Sequence, residues 1–178
     1  MKLKNNLGFT LVELLIVIAI IGIISTLGAY SYNLARTSAK IAKAQHDIDV
    51  IRKAIETLGN DTNLWPGKQE VDKVNPTPGS EICAISDGCT YGLSDPRSGL
   101  VATDGLYENW SGPYMQAITI DPWGHEYFYD TNYLVTAAGK PCNGAGGCQN
   151  ATVVGSFGPN GTGNNLFNKD DIIIITAK

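Results

Sequence analysis

With 178 residues, 19.0 kDa and a formal net charge of -4, the chain has room for one modest domain and a stalk, not for two full domains. Mild acidity argues against a general nucleic-acid role, because such proteins carry a basic patch. Only two histidines are present, His46 and His125, and neither stands in a nucleophile or zinc-ligand spacing. A phosphate-cradling glycine loop with Lys and Ser/Thr is also missing, so the sequence argues against an enzyme.

The N-terminus carries the strongest pattern. A short basic leader, 1–8, holds Lys2 and Lys4 and ends in Gly8. An apolar run follows over 9–29, about 21 residues, long enough to span a bilayer as a helix. The lysines ahead of it predict a cytoplasmic N-terminus. A secretory signal is cut after its apolar core. Here the small residue precedes the core, so cleavage at Gly8 would keep the helix and expose a new amine on Phe9. Inside the run stands one acid, Glu13, whose charge is costly to bury unless something pairs with it. Phe9 and Glu13 lie a full helical turn apart, which favours pairing of the Phe9 amine with the Glu13 of a neighbouring subunit. A plain signal anchor with a snorkelling Glu13 is the alternative, and the pairing reading is favoured over it.

The segment Gly8-Phe9-Thr10-Leu11-Val12-Glu13 resembles the processing and methylation site of type IV prepilins and type II secretion pseudopilins. The resemblance implies a pilin-like α+β fold in which a long N-terminal helix carries a small antiparallel sheet. It further implies cleavage after Gly8 by a prepilin peptidase, methylation of Phe9, and docking of subunits through Phe9 and Glu13. The implied partners are copies of the chain itself in a helical filament, minor pseudopilins and an inner-membrane assembly platform. The implied location is the inner membrane, single-pass, with the C-terminal domain outside the cytoplasm.

No proline falls between Met1 and Trp65, and residues 30–60 continue as helix. Leu34, Ile41, Ile48, Ile51, Ile55 and Leu58 recur at steps of three, four or seven, which predicts one apolar face. Asp49 with Lys53, and Arg52 with Glu56, are spaced for ion pairs on the wet side. Gly59-Asn60-Asp61 predicts the stop. Two helices broken near Gly28 are the alternative, since Gly22 and Gly28 weaken that stretch. The family commonly has proline where this chain has Tyr30, so any local loosening here falls to the glycines.

The remainder, 61–178, reads as one globular domain. From about Lys68 to Gly112 it is irregular and rich in Pro, Gly, Ser, Asp and Asn. Four cysteines form two equally spaced pairs, Cys83 with Cys89 and Cys142 with Cys148. Local disulfides in an oxidising compartment fit them better than zinc, and three connectivities stay open. Asp121-Pro122-Trp123-Gly124 predicts a turn into a strand, with Trp123 as a core aromatic anchoring it. Strands are expected at 126–130, 134–137, 152–157 and 172–176. The turn resembles the Asp-Pro-Trp-Gly motif of the major pseudopilins of type II secretion. The loop from Gly158 to Asp170 and Asp171 resembles the calcium loop of the same proteins, which implies Asn160, Asp170 and Asp171 as metal ligands. Asn160 replaces the usual Asp, and the loop is a few residues longer, so weaker calcium binding is expected. These features favour a structural filament subunit for type II-like secretion. A type IV pilin for adhesion, motility or DNA uptake is the alternative, and a membrane-tethered adhesin that never polymerises comes third.

Overall fold

A computed structural model of the protein describes residues 9–77, 79–142, 144, 146–161 and 169–178, with the backbone alone at 26–30. The leader 1–8, including Gly8, lies outside the described residues. One helix, α1, runs Leu11–Thr62, and its backbone stays helical through Tyr30. The Tyr30 side chain is outside the described part. The chain divides into two compact units, Met1–Ala39 and Lys40–Lys178.

In the first unit the apolar side chains cover every side of the helix and all are exposed, from Phe9 through Ile24. A helix that is apolar all round is built to be covered by lipid or by other helices, not by water. Among the described residues no helix is long and apolar enough to cross a membrane. The described side chains of the apolar run stop at Ser25, so positions 26–29 of the expected 9–29 segment fall outside them.

The second unit has a core. Ala44, Ile48, Ile51, Ala54, Ile55 and Leu58 are buried on one face of α1, at helical spacing. The expected stripe is therefore real from Ile48 onward, whereas Leu34 is 60% and Ile41 36% exposed. Asp49 pairs with Lys53 and Arg52, and Arg52 also with Glu56, on the opposite side. The two cations hold the Asp49 carboxyl down at about 2. The helix ends where Asn63 turns left-handed, its N–H bonding to the Gly59 carbonyl at 2.8 Å.

A two-residue hairpin follows, β1 Leu64–Trp65 with β2 Gln69–Glu70. The stretch expected as an irregular surface region is partly interior. Leu93, Leu100 and Tyr107 are buried in the same core as the helix face, and the Tyr107 hydroxyl donates to the Ser98 carbonyl at 3.0 Å. Short turns, not a periodic element, bring them there, which is why no apolar period announces them. Cys83 is joined to Cys89, and Cys142 to Cys148, so each pair closes its own local loop.

The main sheet has the order β3-β4-β5, all antiparallel: β3 Phe128–Thr136, β4 Cys148–Ser156 and β5 Ile172–Ala177. The two strands expected at 126–130 and 134–137 are one strand, with a register shift between Asp130 and Tyr133. Alternation sorts the side chains into two layers. Tyr129, Val154, Ile172 and Ile174 join the helix-facing core. Phe128, Val153, Ile173 and Ile175 form a second core with Phe157 and the Cys83–Cys89 bridge. Phe128 stacks on Phe157 with centroids 4.4 Å apart. Gly155 makes room for that ring, because a Cβ there would sit 2.5 Å from the Phe128 ring edge.

Candidate assembly and metal sites

At the start of α1, Glu13 and Thr10 hold each other. Glu13 Oε2 accepts from the Thr10 backbone N–H and from its hydroxyl, both at 2.8 Å, and the Glu13 N–H donates to Thr10 Oγ1 at 3.3 Å. This is a reciprocal capping box: each side chain satisfies a backbone donor that the first helical turn leaves without an internal acceptor. The pairing is encoded locally as Thr-x-x-Glu ahead of an apolar run, so Glu13 carries a capping signal beside its charge. Glu13 is exposed, and Phe9, just ahead of the helix, is 85% exposed.

In the second unit, the Asp-Pro-Trp-Gly turn and the Gly158 loop lie together. Asp121 is buried at 3% exposure. Its Oδ1 accepts from the Trp123 N–H at 2.9 Å and the His125 N–H at 2.8 Å, and its Oδ2 accepts from the Ser156 hydroxyl at 2.6 Å. Trp123 is not the expected core anchor. It is half-buried, with the Lys40 ammonium 5.8 Å from its ring centroid, and the aspartate holds the turn instead.

The three expected metal ligands separate into a pair and a single. Asn160 Nδ2 donates to Asp170 Oδ1 at 2.9 Å, and the Asn160 N–H reaches Asp170 Oδ2 at 3.4 Å. Asp171, 7% exposed, turns the other way, and its Oδ2 accepts from the Tyr133 hydroxyl at 2.5 Å. Burial, and then Asp171, push the Tyr133 hydroxyl above its ordinary pKa. Positions 162–168, which carry the expected extra loop length, lie outside the described residues. Among the described residues no group of three His, Cys, Asp or Glu side chains is gathered for a metal ion. Tyr133 and Ser156 were not among the expected site residues, because their contacts join positions 38 and 35 apart in the chain.

Residues 3–29 match the family described as the prokaryotic N-terminal methylation motif, and residues 94–163 match type II secretion system (T2SS), protein G. One chain thus joins a prepilin methylation motif to a region similar to protein G of type II secretion. The second match takes in the Asp121 turn and Asn160 and ends ahead of Asp170 and Asp171. The chain is 28% identical over 130 residues to the type II secretion system core protein G of Pseudomonas aeruginosa, covering 72% of this chain and 76% of the relative. It is also 28% identical over 132 residues to the protein of the same name from Aeromonas hydrophila, covering 71% and 74%. No solved structure matches it.

Proposed function

We propose that this chain is a structural, non-catalytic subunit of a type II secretion pseudopilus, held in the inner membrane by its N-terminal helix and polymerised from there. The observation that carries the reading is the first unit: an exposed, all-apolar helix whose one acid sits at its N-terminal cap, behind a methylation motif. Its apolar surface is the store of assembly energy, since packing helices together covers it. Glu13 sets the axial register by meeting the Phe9 amine of the next subunit. A prepilin peptidase would cut after Gly8, and minor pseudopilins and an inner-membrane platform would start the filament. The folded domain, Lys40–Lys178, faces the oxidising side, which agrees with its two disulfides. Shearing native cells and weighing the mature N-terminus tests this. A chain starting at methylated Phe9 in the sheared fraction is expected, and an intact Met1 found in membranes alone would overturn it.

The same reading includes a calcium ion at the Gly158 loop. The residue types suit a hard cation, two carboxylates and a side-chain amide, with Asp170 and Asn160 already adjacent, while Asp171, bonded to the Tyr133 hydroxyl, would have to turn toward them. To share an ion with Asp170, Asn160 would give up its Nδ2 bond to Asp170 Oδ1 and turn its side-chain oxygen inward. When bound, the ion would draw the loop and the start of β5 together. In the detergent-solubilised full chain, calcium at a hundred times its dissociation constant should stabilise by about 2.7 kcal/mol. Asn160→Asp should lower the melting temperature in EDTA, by setting two carboxylates face to face, and enlarge the rise on adding calcium. Melting temperatures that ignore calcium in both proteins would retire the ion.

A further inference from the structure

We infer that Asp121 is the positioning residue of the Gly158 loop: through Ser156 it sets where Asn160 stands opposite Asp170. The turn 121–125 braces the start of that loop, 158–161, at two points. At the near end, the Asp121 Oδ2 to Ser156 hydroxyl bond fixes the hydroxyl's direction, so that its lone pair accepts from the Gly158 N–H at 3.0 Å. Ser156 is fully buried, so this short relay runs without competition from water. Gly158 then passes so close to Asp170 that a Cβ on it would collide with the Asp170 carbonyl oxygen, at a backbone φ of +65 that favours glycine. Three residues on, Gly161 lies against the His125 ring, and a Cβ there would collide with the imidazole. His125 is itself held to Asp121 Oδ1 by its backbone N–H. One buried carboxylate thus commands both contacts, and Asn160 lies between them.

The cation half of this inference rests on the calcium reading above; the brace does not. The test uses detergent-solubilised full chains of the parent, Ser156→Ala and Asp121→Ala. Two readouts are followed: amide hydrogen exchange in EDTA, and the calcium dissociation constant by calorimetry. Ser156→Ala keeps the Asp121 turn bonds, so it guards against loss of the fold. The Asn160 N–H bonds Asp170 Oδ2 rather than a mutated side chain, which makes its amide the reporter. In both variants the Asn160 amide is expected to exchange roughly tenfold faster, the consequence of losing one hydrogen bond in the relay. Val153 and Val154 in β4 should keep their protection. Calcium should bind roughly tenfold more weakly, since a displaced ligand must be restored from a less populated loop state. An unchanged Asn160 amide in Ser156→Ala, or equal acceleration at Asn160, Val153 and Val154, would overturn the brace and leave Asp121 a general stabiliser. A parent that binds no calcium, while Asn160 still exchanges faster in the variants, would sink the cation reading and support the brace.

Discussion

Replacing Glu13 by alanine is expected to leave a chain that folds and inserts but yields no sheared filaments. The Thr10 contact sharpens this expectation, because alanine would remove a helix cap together with the proposed assembly charge. Locally it caps α1 with Thr10. On the proposed filament reading it would also neutralise an amine inside an apolar bundle, where a lone charge of either sign is costly. Glu13→Gln separates the two. Glutamine is the other residue of the capping box, so the helix start survives while the charge is lost. Filaments should be absent from both variants, as scored by electron microscopy of sheared fractions, with membrane levels of the chain equal to the parent. Filaments restored by glutamine would mean that the cap, not the charge, is what assembly needs. Filaments made by the alanine variant would point to a tethered domain that polymerises by other surfaces.

The part of the molecule legible in the sequence is the part ruled by short-range chemistry. Ile48, Ile51, Ile55 and Leu58 announce their buried face by spacing alone, and the Asp49 and Arg52 pairs announce the wet one. The same spacing continues back to Leu34 and Ile41, which are exposed, because a period marks a face without saying what covers it. Both disulfides followed from cysteine spacing, although the connectivity did not. What stayed hidden depends on distant partners. The register shift at Asp130 breaks the alternation of β3, so one strand reads as two. Leu93, Leu100 and Tyr107 reach the core through turns of no fixed period. Asp121 looks like a turn residue and is one. That its second oxygen crosses to Ser156 depends on how β4 is placed, which no local pattern encodes.

The register shift also leaves a titrating group in the interior, and stability should respond to it. Asp130 is 5% exposed, and its Oδ1 accepts from the Asn132 N–H at 2.7 Å. The Asn132 side-chain amide lies between Asp130 and Glu81, and oriented with its nitrogen toward both carboxylates it would donate to Asp130 Oδ1 at 2.7 Å and Glu81 Oε1 at 3.2 Å. Burial pushes the Asp130 carboxyl up to about 7, against the pull of the Asn132 N–H, and the Glu81 carboxylate adds to the rise. The folded value thus lies above the ordinary 3.8, so between them the folded chain keeps a proton that the unfolded chain has released. Its contribution is fully present below the ordinary value and is lost as pH rises through about 7. A rise of about three units is worth ~4 kcal/mol at most. Asp130→Asn fixes the neutral form and keeps an oxygen for the Asn132 N–H. The variant should therefore match the parent near pH 4 and exceed it at pH 8 by a few kcal/mol, read as a higher urea midpoint with an unchanged slope. Glu81→Gln should move the parent's profile in the same sense by less, since it removes a neighbour's repulsion and leaves the burial. Parallel pH profiles for parent and Asp130→Asn would show that Asp130 is ionised in the folded chain at neutral pH, with the Asn132 amide and the backbone donors outweighing its burial.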